Sequence, residues 1–161
     1  MSATTEHLNG RKQRSGHALG VYLFLRKGET VLLSLRKNTG YFDGYYGLVS
    51  GHVEDGESMI DAMMREAKEE ANLTICPKSL HIVHLMHRKT TQFHIDVFFE
   101  CKEWEGEISN VELDKCGGLH FFSFDNLPNN VIPYIRQALE AATEHKMYSE
   151  NGWSLSPTSN H

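Results

Sequence analysis

The segment that most limits what this chain can fold into is SMIDAMMREAKEEA, residues 58–71. Wound at about 3.6 residues per turn, it gathers Ile60, Met63, Met64, Ala67 and Ala71 on one side. The spacing therefore predicts an amphipathic helix over 58–71 that must lie on an apolar surface. Glu66, Glu69 and Glu70 fall on another side, within an arc of about 100°. That arc opposes the local rules. Glu66 and Glu70 are like charges four residues apart, and Glu69 and Glu70 occupy the last turn, where the helix dipole disfavours anions. Arg65 can answer Glu69 but leaves two carboxylates unneutralised. Local rules broken together point to a functional site. Clustered carboxylate oxygens suit a hard divalent cation such as Mg²⁺ or Mn²⁺, whereas zinc would call for His or Cys.

The surface for that helix must come from the strand-like segments. HALGVYLFLR (17–26) and VLLSLRK (31–37), joined by a turn at Gly28, read as a hairpin. LHIVHLMHR (80–88) and QFHIDVFFECKEW (92–104) read as a second hairpin, and LHFFSF (119–124) as a further strand. The loop 38–47 carries three glycines and four aromatic residues, and 47–53 holds a brief extended piece. A second helix is expected to start near Asn130 as cap, with Pro133 in its first turn, and to run to about His145 with Ile132, Ile135, Leu139 and Ala142 at helical spacing. Strands alternating irregularly with two helices predict a mixed sheet with helices on its faces. Residues 1–16 read as a disordered leader, 17–147 as one domain, and 148–161 as a C-terminal tail in which Trp153 docks on the domain and residues from Ser154 are dispensable.

Composition removes several function classes. The net charge of −5 and the lack of a basic stripe argue against duplex nucleic acid as a partner. No apolar run reaches the length of a membrane span, and the N-terminal stretch lacks the apolar centre of a signal peptide. Cys76, Cys101 and Cys116 are odd in number and widely spaced, which predicts reduced thiols and a cytoplasmic location. His81, His84 and His87 step by three along a strand-like run, so alternation places them on opposite faces rather than in one ligand set.

The spacing around the acidic helix is specific. Gly51, five residues, Glu57, seven residues, Arg65-Glu66, two residues, Glu69-Glu70, then Leu73 resembles the Nudix box, G-x5-E-x7-R-E-U-x-E-E-x-G-U, with U an aliphatic residue. Every charged position of the pattern is matched over 23 residues, 51–73. One position departs: the glycine before the last apolar residue is Asn72, the residue next best able to adopt the left-handed conformation of a helix end. The Trp and Pro that often precede the motif in the family are also missing from YYGLVSGHVE.

The resemblance implies an α/β fold, the Nudix α/β/α sandwich with a mixed β-sheet between helices, and hydrolysis of a nucleoside diphosphate linked to a further group. It implies that Glu66, Glu69, Glu70 and the main-chain carbonyl of Ser50 hold Mg²⁺, or Mn²⁺ in its place, and that Glu57 pairs with Arg65. The general base is left among the helix glutamates Glu69 and Glu70 and the loop acids Glu112 and Asp114, with Glu112 favoured. Arg36 is the first candidate for neutralising substrate phosphates. Arg26, Lys37, Arg88 and Lys89 are further candidates for that task, with an ordinary surface charge as the competing reading of each. The aromatic loop ending at Tyr46 is a candidate base-stacking surface. The expected partner is a small-molecule nucleotide, preferably a nucleoside triphosphate, and homodimerisation is left open. Competing readings keep the chemistry on a nucleotide sugar or dinucleoside polyphosphate, drop catalysis for nucleotide binding alone, or assign prenyl diphosphate isomerisation. The retained carboxylates and the lack of a motif-placed catalytic cysteine count against the last two.

Overall fold

Strand β1 (Ala18–Lys27) is buried on both faces from Gly20 to Leu25, and its alternation organises the molecule. In the computed structural model, which describes residues 14–154, Val21, Leu23 and Leu25 point into one apolar cluster and Tyr22 and Phe24 into another. The first cluster is closed by α1 (Met59–Ala71) through Ala62, Met63, Ala67 and Ala71. The second is closed by α2 (Pro133–Thr143) through Tyr134, Ile135, Ala138 and Leu139. The result is the expected mixed sheet between helices.

The remaining strands are β2 (Thr30–Arg36), β3 (Tyr46–Gly47), β4 (Ser50–His52), β5 (His81–Lys89), β6 (Phe93–Cys101), β7 (Cys116–Ser123) and β8 (Tyr148–Asn151). The path through the sheet is β3-β2-β1-β6-β5-β8, with β4 on β1 and β7 on β2. β1 with β6, and β5 with β8, run parallel; the other pairs are antiparallel. Among the described residues no helix is long and apolar enough to cross a membrane.

The β1–β2 hairpin is shorter than its sequence predicts. Only Arg26↔Val31 and Lys27↔Thr30 pair; β1 then follows β6 while β2 follows β7. Residues 46–52 enter this fork, pairing first with β2 as β3 and then with β1 as β4. The Leu23 N–H donates to the Val49 carbonyl (2.8 Å) and fixes the crossing. The fork thus places Ser50 and Gly51 against α1.

Each end of α1 has a local cause. Ser58 caps its start, accepting from the Asp61 N–H at 3.1 Å. Asn72 ends it in the left-handed region (φ 59°, ψ 29°), with its own N–H and that of Leu73 closing on the carbonyls of Lys68 and Ala67. The cap of α2 differs from expectation. Ile132 occupies the cap position and makes no side-chain bond. Asn130 instead donates to the Gly44 carbonyl (2.8 Å) and accepts from the Tyr46 N–H, tying the loop before β3 to the entry of α2. Pro133, whose missing N–H costs nothing in the first turn, starts the helix.

The stretch assigned to the tail contributes a strand. β8 adds to β5, and Trp153 follows it onto the sheet. Its indole N–H donates to the His87 carbonyl (3.0 Å) and its ring stacks on Phe93 at 5.7 Å. Beneath β8, buried His84 donates from Nδ1 to the Lys146 carbonyl and accepts at Nε2 from the Ser149 hydroxyl, both at 2.7 Å. The expected leader over residues 1–13 and the expected dispensability of residues after Ser154 lie outside the described residues.

Candidate active site

The fork brings main chain against the acidic side of α1. A Cβ at Gly51 would meet Glu66 Oε1 at 2.1 Å, so this position admits only glycine while Glu66 holds its place. One residue earlier, the Ser50 N–H donates to Glu70 (3.0 Å). Burial pushes the Glu70 carboxyl up to about 8, and the neighbouring Glu66 adds to the rise. Burial also raises Glu66, against the pull of Arg65.

Arg65 holds the rest together. It donates from Nε and Nη2 to Glu57 (3.0 and 2.7 Å), from Nη1 to Glu66 (2.8 Å) and Glu69 (3.3 Å), and from Nη2 to the His52 carbonyl (3.2 Å). This paired contact with Arg65 lowers the Glu57 carboxyl to about 2. A fork of guanidinium donors is suited to such multiple anchoring. The clamp ties the loop that follows Gly51 to the helix.

Glu112 arrives by a separate route. The Ser109 and Val111 N–H groups donate to the Ala71 and Glu70 carbonyls (3.1 and 3.3 Å), and Thr74 and Glu105 exchange a pair of main-chain bonds. The loop between β6 and β7 therefore satisfies carbonyls that the end of α1 leaves open, and carries Glu112 to the carboxylates. Arg36, at the end of β2, is oriented by the Tyr41 carbonyl (2.7 Å) and Thr39 Oγ1 (3.1 Å). Asp43 in turn pins that loop by accepting from the Thr39 and Gly40 N–H groups, both at 2.9 Å.

Ser50, Glu66, Glu70, Glu112 and Arg36 line one cleft of about 960 Å³. Glu69 lies outside it, half-exposed and turned to Arg65. Glu57 and Arg65 stand behind the loop rather than in the cleft. Tyr46 also stays out of it, packed edge-on against Phe122 at 5.0 Å beside the core under α2. Among the described residues no three carboxylate, imidazole or thiolate groups already converge as a metal-holding set. The groups that share the cleft wall, Glu66, Glu70, Glu112 and the Ser50 main chain, are oxygen donors. They include Glu70, which has no ion-pair partner among the described residues. Such crowded oxygens fit a hard divalent cation.

The cleft also has walls on the other side of the sheet, of which the sequence marked Arg88 as a secondary candidate but not Tyr134, His52 or His94. Tyr22, Tyr134 and Arg88 line it on the α2 side of the sheet, and His52 and His94 lie near its rim. Arg88 is not the surface charge its position suggests. It is 6% exposed, bonded through Nε to Asp96 Oδ2 (2.6 Å), and Asp96 is 1% exposed. The signal was Asp96 itself, a carboxylate in the otherwise apolar run IDVFF. The irregular register between Ile82 and His84 then set which face Arg88 takes.

Comparison with known proteins bears on the family and the fold. The NUDIX domain family matches residues 15–142. A curated ADP-ribose pyrophosphatase from Methanocaldococcus jannaschii is 34% identical over 112 residues, covering 69% of this chain and 64% of that protein. Nudix hydrolase 5 from Arabidopsis thaliana is 27% identical over 105 residues, 63% of this chain and 33% of its own length. The chain thus spans under two thirds of the length of these relatives. Among solved structures, a MutT NUDIX hydrolase from Burkholderia pseudomallei superposes with a TM-score of 0.72 at 23% identity, covering 78% of this chain and 98% of its own. A MutT protein from Methanosarcina mazei superposes at 0.70 with 19% identity, covering 83% and 97%. At these identities the structural likeness speaks to the fold, while the family match over residues 15–142 settles membership, in keeping with a 51–73 motif that departs only at Asn72: the chain belongs to the NUDIX domain family.

Proposed function

We propose that the protein is a Mg²⁺-dependent hydrolase of phosphoanhydride bonds that cleaves a nucleoside triphosphate or a related nucleoside diphosphate derivative. The observation that carries this reading is the meeting of Glu66, Glu70, Glu112 and the Ser50 main chain with Arg36 around one cleft. Glu66, Glu69, Glu70 and the Ser50 carbonyl would hold the metal, with Glu69 released from Arg65. The cation supplies charge neutralisation and an acidified water when bound.

The chain's own residues do the rest. Arg36, held by its loop, offers its remaining donors to substrate phosphate. Gly51 lets main chain approach Glu66 closely. Glu112, brought to the cleft by the β6–β7 loop, would take the proton from water, with Glu70 as the alternative base. Arg65 and Glu57 act as positioning residues by fixing the loop to α1. A nucleotide-sugar substrate is a second reading, favoured by the ADP-ribose pyrophosphatase relative. A cytoplasmic location belongs to the same reading, supported by three free cysteines, two of them buried.

A substrate panel scored for released phosphate, pyrophosphate and nucleoside monophosphate tests this. EDTA should abolish turnover, and Mg²⁺ or Mn²⁺ should restore it; full activity in metal-free buffer would sink the mechanism.

A further inference from the structure

On the α2 face of the sheet, opposite the acidic helix, the cleft ends on a buried charge with one arm unused. Arg88 uses Nε and Nη2 on Asp96 (2.6 and 3.4 Å) and directs Nη2 also toward the Tyr22 hydroxyl (3.4 Å). Its guanidinium lies 4.1 Å from the Tyr134 ring centre, and the Tyr22 and Tyr134 hydroxyls bond each other at 3.3 Å. Its Nη1 has no protein acceptor among the described residues, yet it is not a sealed, unsatisfied atom. Since Arg88 lines the cleft, that arm is the donor left for a ligand.

The charge balance decides what kind of ligand. Burial works against the Arg88 charge, and the contacts led by the bond to Asp96 more than offset it, so the guanidinium stays charged while Nε and Nη2 close on Asp96. An anion on Nη1 would lie beside the Asp96 carboxylate that already holds Nε and Nη2, whereas Arg36, elsewhere in the cleft, has no such acid on its guanidinium among the described residues. An uncharged acceptor takes the bond without that repulsion. Burial raises both tyrosine hydroxyls, so they stay neutral. Burial also lowers His94, with Arg88 adding to the effect, which favours a neutral imidazole there.

We propose that Arg88, through Nη1, binds an uncharged hydrogen-bond-accepting ring of the substrate, the sugar or base of a nucleotide, on the α2 side of the cleft. Arg88 is thereby a specificity-determining residue. A ligand that offers the acceptor gains a charge-assisted hydrogen bond that a ligand lacking it forgoes. The inference rests on reading the cleft as a nucleotide site.

NMR on the full, 15N-labelled chain, observing both probe and protein signals, tests it, with adenosine, uridine and D-ribose as uncharged probes and inorganic pyrophosphate with Mg²⁺ as the charged one. At least one uncharged probe should bind wild type and shift the Arg88 Nε–H resonance. Ribose binding assigns the sugar; nucleoside binding without ribose binding assigns the base. In Arg88→Lys, which keeps a cation for Asp96 but loses the free arm, affinity for the uncharged probe should fall about tenfold, as expected for one charge-assisted hydrogen bond. Pyrophosphate affinity should hold. The proposal is overturned if no uncharged probe binds, if pyrophosphate alone moves the Arg88 resonance, or if a folded Arg88→Lys binds the uncharged probe as wild type does. Should Arg88→Lys fail to fold, the wild-type resonance decides. Turnover does not enter the test. A protein that binds nucleosides at Arg88 but cleaves no phosphoanhydride loses only the hydrolase reading; an active hydrolase whose Arg88 ignores nucleosides loses only this one.

Discussion

Glu70 sits between opposed demands: its burial favours the neutral acid, while its bond from the Ser50 N–H favours the anion. The balance lifts it from the ordinary 4.5 to about 8. The sign of the consequence follows by linkage. A carboxyl raised in the folded state contributes stability fully below pH 4.5, and that contribution is lost as pH rises through about 8. Chelated protein should therefore lose melting temperature over that window, and Glu70→Gln should flatten the loss and melt higher than wild type at pH 8 while losing most of its turnover. A Glu70→Gln protein that melts below wild type at pH 8 without metal would contradict this account. Glu57 stands at the other extreme, held near 2 by Arg65. Because the two share a paired contact, Glu57→Gln and an Arg65 substitution should be non-additive in a double-mutant cycle read by melting temperature. Glu57→Gln should also cost less activity than Glu70→Gln. Additive losses would mean the contact contributes nothing.

At the scale of the element, α1 carries both a packing stripe and a site, and its end shows the compromise. Asn72 takes a left-handed conformation that glycine adopts more easily. Asn72→Gly should therefore stabilise the protein by up to about 1 kcal/mol, set against a weak Lys68 contact to the Asn72 side chain at 3.3 Å. Denaturant midpoints check it, and a lower midpoint for Asn72→Gly would show that this contact outweighs the backbone term. The loop between β6 and β7 has the complementary role. It spends two N–H groups on the last carbonyls of α1 and so delivers Glu112 without any helix or strand of its own. The fork between β1 and β2 does the same for Ser50 and Gly51.

At the scale of the molecule, the sheet ends on β8, and Trp153 closes that edge over His87 and Phe93. With the ring 38% exposed, truncation after Gly152 should cost roughly 1–2 kcal/mol, short of what a fully buried large side chain contributes. Thermal melting measures that loss. Substrate affinity in the same truncated protein separates a docking role from a cleft role: a fall in melting temperature alone makes Trp153 part of the packing. Unchanged melting and affinity would leave it without either role.

What the sequence settled by itself was local and periodic. The helical spacing of Ile60, Met63 and Ala67 set α1, the fixed spacing from Gly51 to Leu73 set the motif, and Ser58 and Asn72 marked the helix ends. These are legible because each depends on residues within a few turns of one another. Only the tertiary structure decided which of the marked residues share a cleft. Glu69 turned to Arg65, Tyr46 packed on Phe122, and Asn130 served the β3 loop instead of α2. Arg88, only a secondary candidate in the sequence, became buried because β5 and β6 pair it with Asp96 while β1 and α2 supply Tyr22 and Tyr134. A charge on an edge and a charge in a core read alike along the chain. Their difference is made by the neighbours that remove water, and those come from segments far apart in sequence.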